Sequence, residues 1–237
     1  LLRLNWTLKR VKALEDDRER AEEILRILRE NFSVPKLSDI VGDPFKVLIR
    51  TVISQSTAEV NTRRAYRNLS ERIQINPKSL AEADIEVIEE ALRVAGLYRN
   101  KSRIMKELSS RILEEFNGSL DFIYSLPLDE ARSILMSLPG VGHKTADIVL
   151  LFCAKKPTLP VDTHVFRVSK RLGLASKDAD YEGVRGSLQS LYEPEDYFDV
   201  HMLLISLGRR YCRARNPLCG ACPVNRLCPS ALPHARR

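Results

Sequence analysis

The amino-acid sequence predicts an all-α protein. Apolar residues recur at helical spacing in nearly every segment, and no segment sustains the period-two alternation of a half-buried strand. The breaks between segments fall at Asp, Asn, Gly and Pro, the residues that start and stop helices. At 237 residues, with 44% apolar and 29% charged residues, the chain can form one large core or two small ones.

The first helix is expected over 9–31, where Leu14, Ala21, Ile24, Leu25 and Leu28 share a face. A connection with Pro35 follows over 32–42. Asp43-Pro44 then supplies a cap and a proline at the first helical position. Phe45, Leu48, Ile49, Val52 and Ile53 mark the buried face of the next helix, which the polar run Ser54-Gln55-Ser56-Thr57 interrupts. Val60, Tyr66 and Leu69 belong to a third helix, and Asn76-Pro77 breaks the chain. Asp84 is expected to cap a helix over 85–95 ended by Gly96. After Leu97-Tyr98, a helix is expected over 100–116, closed by Asn117-Gly118. Another over 127–137 leads into Leu138-Pro139-Gly140-Val141-Gly142 and a further apolar helix. Helices over 163–172, 182–191 and 195–208 precede an irregular cysteine-rich segment.

The net charge of +7 and a pI of about 9.2 favour a polyanionic partner. No run approaches the roughly 18 apolar residues of a membrane span, so no membrane association is expected. The N-terminal stretch is apolar too briefly and then heavily charged, which argues against a signal peptide and for an intracellular protein. Of five cysteines, Cys212, Cys219, Cys222 and Cys228 cluster near the C-terminus, which points to a metal site rather than disulfides. Cys153, within an apolar helix, is expected in the core. Pattern alone leaves iron–sulfur and zinc open for the four.

Gly140 and Gly142 allow a tight turn whose N–H groups converge at a helix start, a ready anion site. A plain αα-turn would use the same residues. Lys144 opens the following helix and Asp162 precedes another, eighteen positions on. An amine with a depressed pKa and a carboxylate suit nucleophilic attack on a sugar. A solvated lysine and a simple N-cap are the plainer readings.

Taken together, LPGVGHKTA, VDTHVFRV, LIRTVISQSTAEVN, GLYRNKSRI and the Cys-x6-Cys-x2-Cys-x5-Cys loop resemble the helix-hairpin-helix (HhH-GPD) DNA glycosylase superfamily, in its endonuclease III branch, from about 44 to 228. The resemblance implies a two-lobed all-α fold. A six-helix barrel over 35–156 contains the helix-hairpin-helix at about 127–152, and 1–34 with 157–237 form a discontinuous iron–sulfur lobe. DNA would lie across the groove between the lobes.

It further implies base-excision repair of oxidised or damaged pyrimidines by a bifunctional glycosylase. Lys144 forms a Schiff base that leads to β-elimination, and Asp162 assists. Relatives that only remove a base lack this lysine. Gln55 matches a plug and Leu97 a wedge for the opened duplex. Leu138, Gly140, Val141, Gly142, His143 and Thr145 belong to the phosphate-binding hairpin, with Arg213 and Arg215 as further phosphate contacts. Cys212, Cys219, Cys222 and Cys228 would hold a [4Fe–4S] cluster. The implied partner is double-stranded DNA with damaged bases or abasic sites, met by a monomer inside the cell, in the cytoplasm or nucleoid if the source is prokaryotic. Several relatives carry aspartate where this chain has Ala58, which leaves the preferred base open. Uracil, thymine or adenine mismatch glycosylases, and a non-catalytic damage-binding protein, are the alternatives.

Overall fold

A computed structural model describes residues 2–35, 37 and 42–231 of the chain, and the side chains from Asp16 onward within them. Among these residues there are twelve α-helices and no strand. None of the helices is long and apolar enough to cross a membrane.

The chain divides into two units, residues 40–156 and residues 1–39 with 157–237. In the first, α2 (Pro44–Ser54) begins as its sequence predicts, with Pro44 in the first turn and the Asp43 carboxylate accepting from the Lys46 amide at 3.0 Å. α3 (Glu59–Arg72) follows the polar break. The chain does break before Asn76-Pro77, where α3 has already ended, and the same pair starts a short helix that was not expected. Proline needs no amide partner at a helix's first position, and the Asn76 side chain caps the Ser79 amide at 2.8 Å, so α4 runs Pro77–Glu82. Asp84 stands at the N-cap of α5 (Ile85–Leu92), but its side chain accepts no capping bond. This helix stops earlier than its composition suggests and tightens into a 3-10 turn over Arg93–Ala95.

α6 (Tyr98–Phe116) starts two residues before the expected position, directly behind Leu97. It is closed by Asn117 and Gly118, both left-handed, with the Gly118 amide reaching back to the Ile112 carbonyl at 2.9 Å. A short α7 (Phe122–Ser125), which no sequence signal announced, leads to α8 (Leu128–Ser137) and α9 (His143–Ala154). One core joins these helices, with Leu48, Ile49, Val52 and Ile53 of α2, Met105, Leu108 and Ile112 of α6, and Val149 and Leu150 of α9 fully buried. Cys153 is buried there as expected, and burial pushes its thiol up to about 12. Where short helices end without a capping residue, lysines hold the carbonyls. Lys106 donates to the carbonyls of Ala81, in the last turn of α4, and of Ala83 just beyond it, and Lys156 to that of Leu126 after α7 at 2.6 Å.

The second unit holds α1 (Leu2–Asn31), α10 (Thr163–Leu172), α11 (Tyr181–Leu191) and α12 (Tyr197–Arg210). α1 begins before residue 9. Ala21, Ile24, Leu25 and Leu28 of its expected apolar face are buried, while the Leu14 side chain lies outside the described ones. They meet a core that includes Val165, Val168, Val184, Leu188, Leu203, Leu204 and Leu207. Arg20 of α1 donates to the carbonyls of Leu172 and Gly173 at the end of α10, at 2.7 and 3.0 Å. The chain after α12 is irregular, with 3-10 turns at Cys219–Ala221 and Asn225–Leu227.

Leu108→Ala should lower the unfolding free energy by about 2–5 kcal/mol in urea denaturation, because the fully buried site leaves a cavity. Val60→Ala, on a residue 76% exposed, should change it by no more than about 0.5 kcal/mol.

Candidate functional site

The turn between α8 and α9 is built on one glycine. Gly140 has φ +73°, and a Cβ there would run into the Ile104 side chain, so conformation and space both exclude any other residue. Gly142 departs from what the sequence suggests. Its φ of −99° and ψ of −179° are open to any residue, and a Cβ there meets nothing within 4 Å. What Gly142 contributes is room, and a helix start with no side-chain cap on its amides. Leu138 and Val141 have their side chains in the core, and Thr145 is buried as well. Their backbone is what remains to meet a ligand. The hairpin is therefore shaped to present main-chain amides rather than side chains to an anion.

A pair that sequence reasoning missed holds the two helices together. Arg132 of α8 grips Asp147 of α9 through two bonds, Nε to Oδ1 at 2.9 Å and Nη2 to Oδ2 at 3.2 Å. The Asp147 side chain is fully buried. A carboxylate on the apolar face of HKTADIVLLF was the available signal, since buried carboxylates demand partners. Arg132 Nη2 also lies 3.2 Å from His143 Nδ1. A guanidinium only donates, so in this contact Nδ1 is the acceptor. His143 is exposed and Lys144 half-buried, both in the first turn of α9.

Gln55 follows α2, and its Nε2 donates to the Gly140 carbonyl at 3.0 Å, which brings this residue to the hairpin. Leu97 stands at the N-cap of α6 with φ +48° and is 66% exposed. A leucine held in the left-handed region and in water costs free energy on both counts.

In the second unit, Asp162 caps α10. Its Oδ1 accepts from the amides of His164 and Val165, both at 2.8 Å, and Oδ2 takes no part in the cap. One carboxylate can thus hold a helix and keep an oxygen for chemistry. His164 is packed: Nδ1 lies 3.1 Å from Arg167 Nη2, and a Cβ on Gly208 would approach His164 to 2.9 Å. Burial holds the His164 pKa below the ordinary value.

The four clustered cysteines line one cavity of about 170 Å³. Cys228 is buried and the other three are half-buried. Burial pushes the Cys222 thiol up to about 11 and raises that of Cys228. Among the described residues no three His, Cys, Asp or Glu side chains converge as they would around a single ion. Four thiols lining one cavity of this size leave room for a polynuclear cluster.

A cation beside one of these thiols comes from α10 rather than from the arginine-rich loop. Arg171 Nη1 donates to Cys212 Sγ at 3.5 Å and to the Arg213 carbonyl at 2.7 Å, and Nη2 to the Ala214 carbonyl at 3.2 Å. Arg167 Nε donates to the Cys212 carbonyl at 3.0 Å. Arg213 and Arg215 are themselves exposed.

With this geometry in place, a family model described as HhH-GPD superfamily base excision DNA repair protein matches residues 49–194. A second, the iron–sulfur binding domain of endonuclease III, matches residues 212–228. Endonuclease III of Sulfolobus acidocaldarius is 32% identical over 216 residues, covering 88% of this chain and 95% of the relative. Endonuclease III of Thermotoga maritima is 37% identical over 186 residues, covering 78% and 83%. Among solved structures, a trapped endonuclease III–DNA covalent intermediate superimposes with a TM-score of 0.80 at 31% identity, covering 92% of this chain and 99% of that one.

Breaking the buried pair alone should be costly. Asp147→Ala leaves Arg132 without its carboxylate and should destabilise the protein by about 3 kcal/mol in denaturant titration. The double variant Arg132→Met with Asp147→Leu should recover a large part of that loss, because neither charge is then stranded.

Proposed function

This chain belongs to the HhH-GPD superfamily of base excision DNA repair proteins, and we propose that within it Lys144 is the nucleophile that removes a damaged pyrimidine from duplex DNA. It is a DNA glycosylase and abasic-site lyase related to endonuclease III, and it carries a [4Fe–4S] cluster in its C-terminal segment. The residues that would hold the cluster are Cys212, Cys219, Cys222 and Cys228, whose cavity suits it. When bound, it supplies crosslinks to a segment with little regular structure of its own.

The observation that carries the proposal is the placement of Lys144. It lies in the first turn of α9, behind an uncapped glycine hairpin. Amides there suit a backbone phosphate, which would fix the sugar relative to the amine.

In the proposed reaction the Lys144 amine attacks C1′. The C1′–base bond breaks with its electron pair leaving on the base, which takes up a proton. The new C1′–N bond becomes an imine as the sugar ring opens. The imine acidifies the 2′ hydrogen, and its removal expels the 3′ phosphate and cuts the strand. Water then hydrolyses the imine and frees Lys144. Asp162 is read as the assisting carboxylate, acting through the oxygen not used in capping α10.

For the base to be reached it must leave the stack. Gln55 is read as the plug for the vacated space and Leu97 as the apolar wedge. His143, Thr145 and the backbone of residues 138–142 are read as the phosphate contacts of the hairpin, with exposed Arg213 and Arg215 as contacts from the cysteine segment. One monomer suffices for this set.

Borohydride reduction on duplex DNA with an abasic site should trap wild-type protein covalently and leave Lys144→Ala unlinked. An undiminished adduct with Lys144→Ala would overturn the assignment. Asp162→Asn keeps a capping oxygen but loses the charge. Its melting temperature should barely move, while single-turnover cleavage falls by about a hundredfold or more.

The arginines make a separate prediction. Arg213→Ala with Arg215→Ala should flatten the dependence of log affinity on log salt by about 0.9 for each phosphate that is no longer neutralised. An unchanged slope in fluorescence-anisotropy titrations would remove both residues from the interface.

A further inference from the structure

Lys101 lies in the first turn of α6 and is 2% exposed, a cation in the core of the 40–156 unit. Its Nζ donates to the Ile53 carbonyl at 2.9 Å, to Thr57 Oγ1 at 2.6 Å and to the Ala95 carbonyl at 3.0 Å. An ammonium has three hydrogens, and all three meet uncharged oxygens. Burying a charge without a counter-charge is costly, and burial holds the Lys101 pKa below the ordinary lysine value. An apolar residue would serve core packing at less cost. The positions of the three acceptors show what the charge does instead.

Ile53 and Thr57 bracket Gln55 at two residues on each side, and Ala95 precedes Leu97 by two. The Thr57 hydroxyl, which accepts from Lys101, lies 2.5 Å from the Ala95 carbonyl and donates to it, closing a triangle between the two loops. Both loops contain a non-glycine residue in the left-handed region, Ser56 at φ +53° and Leu97 at φ +48°. Each such residue is strained and persists only where its surroundings over-determine it. Gln55 is tied in turn to the hairpin through the Gly140 carbonyl.

We propose that Lys101 is a positioning residue for base extrusion. Its ammonium sets the spacing between the Gln55 loop and the Leu97 loop, so that plug and wedge enter a duplex together. The proposal rests on the reading of Gln55 and Leu97 given above. Lys101 itself touches neither DNA nor the reacting atoms. Its loss should therefore slow reactions that require a nucleotide to leave the stack, and spare the same lysine chemistry on a sugar that is already accessible.

Two substrates separate these effects under single-turnover conditions: a damaged pyrimidine within a duplex, and an abasic site in a single-stranded oligonucleotide. Lys101→Met, unbranched and uncharged, should lower duplex excision by about tenfold or more, as small misplacements do. Its strand scission at the single-stranded abasic site should stay within about twofold of wild type. Thr57→Val removes one corner of the triangle with less disturbance to the core and should show the same split. Thr57→Ser restores the hydroxyl and should regain most of the duplex rate. Thr57→Val with Thr57→Ser decides the matter if Lys101→Met does not fold. Equal losses on the two substrates, or an unaltered duplex rate in either disruptive variant, would overturn the proposal. Absence of scission by wild type at the single-stranded abasic site would instead overturn the lyase reading, and this proposal with it.

Discussion

The hairpin between α8 and α9 depends on one buried ion pair. Arg132 and Asp147 are fifteen residues apart in sequence, on different helices, and each meets the other through two hydrogen bonds. A fully buried carboxylate cannot drift from its guanidinium without stranding a charge in the core, so the pair fixes the approach of α8 to α9. Gly140 then makes the turn in the space that Ile104 leaves, and the first turn of α9 is presented at a defined angle. Lys144 and the amides beside it inherit their position from contacts one and two turns away.

A related device recurs at several other helix ends and loops. Lys101 holds the loops around Gln55 and Leu97, Lys106 the end of α4, and Lys156 the end of α7. In the other unit Arg20 closes the end of α10, while Arg171 pins the carbonyls of Arg213 and Ala214. Each cation donates to main-chain carbonyls that no helix satisfies. Buried carbonyls must find donors, and a long side chain rooted in a rigid helix supplies them at fixed reach. Loops held in this way can carry strained or exposed residues, such as Leu97, without a core of their own.

The two units are stabilised differently around their functional parts. Residues 40–156 rest on a large apolar core, and the hairpin and both loops are extensions of it. Among the described residues after α12 the buried ones are Val224, Cys228 and Ala231, and this segment depends on its cysteines and on arginines from α10. A bound cluster ties the four cysteines to one another and so acts as the missing core of this segment.

Sequence alone was enough for the all-α class, most of the helices, the glycine-bracketed turn and the grouping of four cysteines. These follow from local causes. Helical spacing, Asp43 and Asp162 as caps, and Pro44 in a first turn act within a few residues. Local reasoning failed where local signals were shared. Asn76-Pro77 reads only as a break and is also a helix start, and Gly142 reads like Gly140 although only Gly140 has the left-handed φ. Leu138 and Val141 were legible as hairpin residues, but whether their side chains faced a ligand or the core depended on what packs beneath them. The partners of the charges were settled by tertiary packing alone. That Asp147 meets Arg132, that Arg171 and not Arg213 reaches Cys212, and that Lys101 joins two loops are all contacts between residues far apart in the chain. A sequence shows which residues carry charge. It does not show which oxygen lies within hydrogen-bond reach of each, because that distance is set by the packing of whole helices.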